Sequence, residues 1–494
     1  MINIFTRSTL LLLIVSTILA CQHNKRVLTP AEKSDFKTLS SNAGLNAFLQ
    51  ECVTHNPSLS LRNFALNDSL SLPVVYFSSK DKPANNPIRI MIIAQQHGNE
   101  PSGLEGLLLL ISQMANGKYD HWLQYAELML IPQCNPYGGD KHRRRNAEGI
   151  DLNRDHLLLQ ARETQFIQQL FDEFDPHFTA DLHEYYPYSA SWEEFGYMRN
   201  FDIQLGGPTN LNTSDEIRYA FGQRLMPYVE KQLQSRGFSF FEYTLGHLPS
   251  GERMRRSTTD IDDGRQSFAI TGTFSVIVEG MNGRDSLDRL ERRAKSQMHT
   301  AEALIAWATQ NRNEIMKMVQ DSRQQIIDLQ VPVAIRQEHV PDGMMLSYPL
   351  KSLKTGMDTV FVVENYHNKV VSNLDVVAPK GYLIPRNNKL LSDWLSRSTF
   401  FKTADVLPEG KIYAYQLLGF EESIDEELSN QKALVARVDM QNIDTNDYVF
   451  IPLNQQYNLR IIKALEPQSM YGLINYKGFE PLKDEAIWPV LRLE

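Results

Sequence analysis

Two short segments of the chain carry residue types that bind divalent metal ions. The first, HGNE, places His97 and Glu100 on one tight turn directly after an apolar run. The second, DLHE, places His183 after another apolar run. Imidazole and carboxylate groups are suitable zinc ligands, and a set of two histidines and one glutamate leaves a coordination position for water. These three residues therefore predict a catalytic zinc site that holds one ion per chain.

The apolar runs around these segments are typical of buried parallel strands. They are Ile88 to Ala94, Phe178 to Leu182, and later in the chain Phe274 to Val278. Helical segments lie between them, among them Leu104 to Met114 and roughly Leu159 to Phe174. Strands that alternate with helices predict an α/β fold with a mixed, mostly parallel sheet flanked by helices. In such sheets ligands bind at the carboxyl ends of the strands, where both metal-binding segments fall.

The later part of the chain shows two further patterns. Thr213 and Glu216 resemble a capping box and predict the start of a helix, and a long helical stretch is expected from Asp285 to about Gln325. After about residue 330, short β-rich runs are separated by Pro, Gly and Asn. This change predicts a smaller β-rich C-terminal domain.

A third segment with chemical potential contains NPYG at 135–138 and RRNAEGIDLNR at 144–154. Together with HGNE and His183, it resembles the zinc carboxypeptidases of the carboxypeptidase A type, whose signature is HxxE, NPxG, RxNxxGxDLNR and a later histidine. The matches are ordered and chemically distinct, and the resemblance covers roughly residues 60–315. It implies a carboxypeptidase-like fold and zinc-dependent hydrolysis of a peptide or amide bond beside a free carboxylate.

The resemblance also implies a role for each matching residue. The three metal-binding residues match the zinc ligands of the family. Arg144 matches the arginine that polarises the scissile carbonyl, although Arg143 and Arg145 flank it and a shift of one residue stays open. Asn153 and Arg154 match the pair that binds the terminal carboxylate of the substrate.

The general base of the family is a glutamate on a late strand. Glu279, which ends the run FSVIVEG, resembles it by position and is expected to accept a proton from the zinc-activated water. Glu184, next to His183, is the alternative base. Because neighbouring side chains on a strand point to opposite faces, His183 and Glu184 are not expected to face the same site.

Alternative functions follow from one departure from the family pattern. Asn99 stands where typical carboxypeptidases have an arginine, and this variant is closer to amidases and deacylases of the same superfamily, which act on peptidoglycan peptides or acyl-amino acids. A peptide- or glycan-binding envelope lipoprotein without catalysis is the alternative from another class. A binding module does not need the whole set of ligands, arginines and base.

The N-terminus resembles the lipobox of bacterial lipoproteins. An apolar run within Met1 to Ala20 precedes Cys21. The resemblance implies that residues 1–20 are a signal peptide and that Cys21 is lipidated. The protein is then expected to be tethered to a membrane of the bacterial envelope, facing the periplasm or at the outer membrane rather than the inner one.

The length of the chain indicates how it divides into domains, and its net charge counts against one class of partner. The 494 residues are expected to divide into the signal peptide, an N-terminal segment over 21–60, a catalytic domain over 61–325 and the C-terminal domain over 326–494. The net charge of −9 argues against a nucleic-acid partner. The expected substrate is a peptide or a peptidoglycan-derived molecule with a free carboxylate. Cys52 and Cys134 could pair or stay free.

Overall fold

The computed structural model describes residues 26–79, 86–246, 253–329, 331–425 and 428–494. The predicted signal peptide and Cys21 lie outside these residues. No helix in the described part of the chain is both long enough and apolar enough to cross a membrane.

The first part of the chain is built on one large sheet. Its strands, with those of the smaller sheets around it, are β1 (Leu59–Ala65), β2 (Ser71–Phe77), β3 (Ile88–Ala94), β4 (Ala126–Ile131), β5 (Phe178–Tyr185), β6 (Tyr197–Arg199), β7 (Ile203–Gly206), β8 (Phe240–Glu242), β9 (Thr244–Leu245), β10 (Arg255–Arg256) and β11 (Phe274–Met281). The large sheet has eight strands in the order β1-β2-β4-β3-β5-β11-β7-β8. Strands β4, β3, β5 and β11 are parallel neighbours. Antiparallel pairings add β2 on one side and β7 on the other.

The helices of this part flank the sheet. They are α1 (Pro30–Lys33), α2 (Asn42–His55), α3 (Pro101–Ala115), α4 (Pro136–Lys141), α5 (Arg162–Phe174), α6 (Ala190–Glu193), α7 (Asp215–Ala220), α8 (Met226–Gln234), α9 (Gly264–Ala269), α10 (Leu290–Gln310) and α11 (Arg312–Asp328). A π-helical turn at Phe221–Leu225 joins α7 to α8, and short 3-10 helices lie at Asp120–Gln124 and Leu152–Arg154. The prediction of a mixed α/β sheet flanked by helices is confirmed.

Each face of the sheet has its own apolar cluster. On one face, α2, α3, α10 and α11 pack on the strands through a cluster that includes Phe48, Leu107, Val276, Leu304 and Ile315. On the other face, α5 and α9 pack through a smaller cluster that includes Met91, Ile93, Ile167, Phe171 and Phe268. The inner strands are therefore buried on both faces, as their near-continuous apolar sequence predicts.

The contact between α3 and α10 is very close. A Cβ atom on Gly106 would lie 2.7 Å from Cβ of Gln297, so only glycine allows this approach. The approach lets the side-chain amide of Gln297 donate to the carbonyl oxygen of His183 at 2.8 Å. The packing of the two helices thus fixes the end of β5 that carries a predicted metal ligand.

The C-terminal region is rich in strands. Its elements are β12 (Val333–Val340), β13 (Leu346–Ser352), β14 (Asp358–Val363), β15 (Lys369–Val376), β16 (Gly381–Pro385), α12 (Lys389–Arg397), β17 (Ile412–Asp425), β18 (Leu428–Asp439), β19 (Tyr448–Pro452), α13 (Asn458–Leu465) and β20 (Leu491–Leu493), with 3-10 helices at Thr445–Asp447, Leu473–Asn475 and Glu480–Lys483. Five strands form one sheet in the order β18-β17-β20-β16-β19. A three-stranded sheet, β14-β13-β6, includes a strand from the first part of the chain.

The C-terminal region shares an apolar cluster with the first part of the chain. Leu157, Ile261 and Ile270 lie in the same cluster as Trp394 and Leu473. The indole N–H of Trp394 donates to the carbonyl oxygen of Leu157 at 3.0 Å. The C-terminal region therefore packs against segments that lie just after the DLNR motif and just before α9.

Two local predictions hold in outline and differ in detail. The helix predicted at Thr213 and Glu216 begins at Asp215 as α7, but Thr213 does not cap it: the Thr213 hydroxyl donates to the carbonyl oxygen of Asn210, and the Ser214 side chain does not cap the helix either. The helical stretch predicted from Asp285 to about Gln325 begins at Leu290 and consists of two helices, α10 and α11. They are interrupted at Asn311, which leaves the helical region (φ −104°, ψ 18°) and whose side-chain amide donates to the carbonyl oxygen of Trp307.

Candidate metal centre and active site

The HGNE turn starts where β3 ends and closes on itself. Gln95 takes a positive φ of 55° and directs the chain out of the strand. The backbone N–H of Glu100 donates to the carbonyl oxygen of His97 at 3.1 Å. A Cβ atom on Gly98 would lie 1.9 Å from the carbonyl carbon of Gly138, so the turn packs directly on the NPYG segment. The glycine allows the two motifs to share one edge of the sheet.

The three predicted metal ligands converge. His97, Glu100 and His183 are buried, and their ligand atoms lie within 4.8 Å of one another. The Nδ1 atoms of His97 and His183 are 3.2 Å apart. Glu100 Oε1 is 2.8 Å from His97 Nδ1, and Glu100 Oε2 is 3.0 Å from His183 Nδ1. Two imidazole nitrogens and a carboxylate that face one point are the donor set of an open zinc site, so these residues fit a zinc ion.

An aspartate lies at the far ring nitrogen of each histidine. His97 Nε2 is hydrogen-bonded to Asp151 Oδ1 at 3.0 Å. His183 Nε2 lies 3.0 Å from Asp181 Oδ1, although the two atoms are out of line for a hydrogen bond. A carboxylate at this position orients the ring and leaves Nδ1 for the metal. Sequence reasoning missed both aspartates. Asp181 could have been found, because it lies two residues before His183 on the same face of β5.

The carboxyl groups of Glu100 and Asp151 are kept ionised by their neighbours. Burial raises the pKa of Glu100, but His97 and His183 outweigh this effect and hold it below the ordinary value. Burial likewise raises the pKa of Asp151, and the hydrogen bond from His97 together with nearby Arg144 lowers it below the ordinary value. Both groups are therefore carboxylates at neutral pH, which suits a cation-binding site.

Of the three consecutive arginines, Arg144 is the one that reaches this cluster. Its Nη1 lies 3.2 Å from His97 Nδ1 and 3.8 Å from Glu100 Oε1. Its Nε donates to Asp151 Oδ2 at 2.8 Å. Arg145 instead donates to the carbonyl oxygen of Gly149 at the surface. The side chain of Arg144 is 44% exposed, so the guanidinium can still meet a ligand.

Asn153 and Arg154 lie in the short 3-10 helix at Leu152–Arg154. Asn153 Oδ1 accepts hydrogen bonds from the backbone N–H of Gly264 at 2.8 Å and from Gln96 Nε2 at 3.2 Å. Because the oxygen is occupied, the amide nitrogen is the group that can donate to a ligand. The side chain of Arg154 is 43% exposed, and its Nη2 lies 3.9 Å from Asp260 Oδ2. The pair can bind an anion such as a carboxylate.

Glu279 lies beside the metal cluster on the neighbouring strand. Its Cα is paired in register with that of His183 across β11 and β5, so the two side chains share a face. Burial raises the pKa of Glu279 to about 7, a value suited to a group that accepts and returns a proton near neutral pH.

Glu184, the alternative base, has other partners. Its Oε1 accepts hydrogen bonds from Arg293 Nη2 at 2.7 Å and from Arg293 Nε at 3.0 Å. Its Oε2 accepts a hydrogen bond from the backbone N–H of Ser102 at 3.1 Å. Both oxygens of Glu184 are therefore engaged with α3 and α10.

One cavity of about 300 Å³ joins the predicted residues. It is lined by all seven of them, His97, Glu100, Arg144, Asn153, Arg154, His183 and Glu279. The sequence assigned no role to Tyr243 or Arg199, which also line the cavity. No local pattern marked them, because Arg199 ends β6 and Tyr243 follows β8, both outside the motifs that the sequence analysis identified.

Comparison with known proteins identifies similar chains. Residues 54–203 match the family model described as zinc carboxypeptidase. Carboxypeptidase 2 of Trichophyton rubrum is 23% identical over 460 residues, which cover 87% of this chain and 82% of that protein. A probable carboxypeptidase 2 of Trichophyton verrucosum is 25% identical over 346 residues, or 65% of this chain and 64% of that one.

Solved structures with some similarity include a metallo-carboxypeptidase from Burkholderia cenocepacia. It is 15% identical, the alignment covers 54% of this chain and 69% of that one, and the TM-score is 0.42.

Proposed function

We propose that the chain is a hydrolase of the zinc carboxypeptidase family, whose model matches residues 54–203, and that it hydrolyses the peptide or amide bond next to a free terminal carboxylate. The observation that supports this proposal is one cavity, in which the candidate metal-binding set, Arg144, Arg154, Asn153 and the buried Glu279 face one space. Its volume of about 300 Å³ suits the end of a peptide rather than the middle of a folded chain.

His97, Glu100 and His183 would hold the zinc ion. When bound, zinc supplies a Lewis acid and lowers the pKa of water in its coordination sphere. Glu279 accepts a proton from the attacking water and returns it to the leaving amine. Its burial beside the candidate metal ligands supports this role, because burial raises the pKa of the carboxyl and makes the carboxylate a stronger base than one in water.

The arginines and the asparagine position the substrate. Arg144 reaches toward the metal cluster from Asp151 and stabilises the negative charge that develops on the carbonyl oxygen. Arg154 and the amide nitrogen of Asn153 bind the terminal carboxylate. Arg144 thus serves the reacting carbonyl, and Arg154, in the same cavity, serves the end of the substrate chain.

The test compares metal content and turnover in the protein without residues 1–21. The wild type is expected to contain about one zinc per chain and to release C-terminal amino acids from peptides, while peptides with an amidated C-terminus are poor substrates. Glu279→Gln should bind zinc and lose turnover, and His183→Ala should lose both. A Glu279→Gln variant with full activity would remove the base assignment, and faster cleavage of acyl-amino acids than of peptides would favour the deacylase alternative.

We also propose that Cys21 carries a lipid that tethers the protein to the bacterial envelope, more specifically at the outer membrane. The support is the sequence before it, an apolar run that ends in Ala20. The full-length protein is expected in the membrane fraction, and Cys21→Ser should move it to the soluble fraction or leave it with an uncleaved signal. A Cys21→Ser protein that is still cleaved and membrane-bound would contradict the proposal.

A further inference from the structure

A loop over residues 257–263, which we call the aspartate loop, forms one wall of the cavity. It joins β10 to α9 and contributes Thr258, Asp260 and Asp263 to the lining. The loop is tied to the carboxylate-binding segment by the backbone. The N–H of His156 donates to the carbonyl oxygen of Asp262 at 3.1 Å, and the N–H of Gly264 donates to Asn153 Oδ1. A displacement of the loop therefore displaces the residues that meet the substrate.

Asp260 is the charged partner of Arg154 in this loop. Asp260 Oδ2 lies 3.9 Å from Arg154 Nη2, and Arg154 Nη1 donates to the carbonyl oxygen of Asn153 at 2.6 Å. Against the effect of burial, the nearby carboxylates raise the pKa of Arg154, and Asp260 contributes most, ahead of Asp262, Asp263 and Asp151. The negative charges of the other two aspartates of the loop are paired or neutralised. Asp263 Oδ2 accepts a hydrogen bond from Arg265 Nη2 at 2.9 Å. Burial raises the pKa of Asp262 to about 8, so that this group is mainly neutral at pH 7.

Two tyrosines of the C-terminal region hold the loop from its other side. The hydroxyl of Tyr471 donates to Asp260 Oδ1 at 2.7 Å, and the hydroxyl of Tyr476 donates to Asp262 Oδ2 at 3.0 Å. Ile261, between the two aspartates, lies in the apolar cluster shared with Leu473. The C-terminal region therefore contacts the aspartate loop in two ways: it packs against Ile261, and its tyrosines orient Asp260 and Asp262.

We propose that Tyr471 and Tyr476 are positioning residues that set Arg154 for the terminal carboxylate of the substrate. One oxygen of Asp260 accepts a hydrogen bond from the hydroxyl of Tyr471 and the other faces Arg154, so Tyr471 fixes the orientation of the Asp260 carboxylate relative to Arg154. Without the hydroxyl, Asp260 can rotate and pair fully with Arg154, and the guanidinium is drawn away from the substrate. The β-rich region thereby takes part in substrate binding without touching the substrate. This inference rests on the proposed function.

Tyr457 provides a matched control. Its hydroxyl donates to Asp172 Oδ1 at 2.8 Å, so it forms a tyrosine–aspartate hydrogen bond between the same two parts of the chain. Asp172 lies on α5 and does not line the cavity. Tyr457→Phe therefore removes the same type of contact from the interface and leaves the aspartate loop untouched.

The experiment measures kcat and KM separately for peptides with a free C-terminal carboxylate. Tyr471→Phe should raise KM about threefold to tenfold, which is less than the loss of a hydrogen bond made directly to a charged group, because Tyr471 acts on the substrate only through Asp260 and Arg154; kcat should stay within about twofold. Tyr471→Phe combined with Tyr476→Phe should raise KM further. Tyr457→Phe should change neither constant. The thermal midpoint of each variant shows whether it is folded.

A second readout is independent of turnover. The dissociation constant of the free amino acid released from the best peptide is measured by calorimetry, and it should rise with KM in Tyr471→Phe. If Tyr471→Phe does not fold, Tyr476→Phe alone replaces it and should also raise KM at nearly constant kcat. Equal KM values for Tyr471→Phe and Tyr457→Phe, or a loss confined to kcat, overturn the inference. Absence of turnover in the wild type would instead count against the proposed function.

Discussion

Replacing Asp151 with asparagine should weaken zinc binding and turnover together. Asp151 serves three neighbours at once. Its Oδ1 is hydrogen-bonded to His97 Nε2 at 3.0 Å and accepts a hydrogen bond from the backbone N–H of Asn153 at 3.1 Å. Its Oδ2 accepts a hydrogen bond from Arg144 Nε at 2.8 Å. The change keeps the shape of the side chain and removes the charge.

The magnitude follows from these contacts. An asparagine whose oxygen stays on His97 turns its amide nitrogen toward Arg144 Nε, and two donors cannot bond to each other. A hydrogen bond to a charged group contributes about 1.5–3 kcal/mol and a neutral one about 0.5–1.5 kcal/mol. The contact with His97 thus weakens by about 1–2 kcal/mol, which corresponds to about 5- to 30-fold weaker zinc binding. Release of Arg144 should lower kcat/KM by about a further tenfold at saturating zinc.

Zinc affinity is measured by competition with a chelator of known affinity, and kcat/KM is measured with zinc in excess. Asp175→Asn is the matched control. Asp175 binds Arg89 and Arg323 at 2.7 Å each, at the opposite end of the strands, and the same change there should leave zinc affinity unaltered. A zinc affinity of Asp151→Asn within twofold of the wild type would refute the reasoning, because the carboxylate would then not support His97.

Two other carboxyl groups give contrasting predictions. Glu184→Gln leaves Arg293 buried without its charge partner and should lower the free energy of unfolding by about 3 kcal/mol. The folded fraction of this variant should keep its turnover, whereas Glu279→Gln should lose it. Denaturant unfolding and single-substrate kinetics test both statements, and a stable but inactive Glu184→Gln would contradict them. Burial raises the pKa of Glu105, which accepts hydrogen bonds from Ser40, from 4.5 to about 7. The contribution of Glu105 is therefore complete below pH 4.5 and is lost as the pH rises to about 7, so the wild type should lose about 3 kcal/mol relative to Glu105→Gln over that range. If the free energies of unfolding of the wild type and Glu105→Gln changed in parallel with pH, the pKa of Glu105 would not be raised in the folded protein.

The sequence predicts those parts of the site that depend on local order. Strand β3 has the predicted bounds, Ile88–Ala94, because a buried parallel strand is apolar at nearly every position. His97 and Glu100 meet because they share one turn, and His183 joins them because parallel strands end at one edge. A local pattern also fails where a competing local hydrogen bond forms, as at Thr213, whose hydroxyl binds the backbone of Asn210, three residues earlier, instead of capping the helix.

Contacts between distant segments had no sequence signal. Tyr471 reaches Asp260 across more than two hundred residues of chain, and nothing in either segment indicates the other. The close approach of Gly106 to Gln297 is equally invisible, because a glycine in a helix predicts only a weaker helix. Such contacts depend on how the helices and the C-terminal region pack, which a reading of periodicity does not supply.

The pleat of the sheet explains why two buried glutamates on neighbouring strands are assigned different roles. Residues at alternate positions of β5 share a face, so Asp181 and His183 point to one side and Glu184 to the other. On the far side Glu184 meets Arg293 of α10, which occupies its Oε1 in an ion pair. Glu279 is in register with His183 and therefore points to the metal side. A one-residue shift of β11 against β5 would turn Glu279 to the side of the sheet on which Glu184 lies, so the base assignment depends on the register of the two strands.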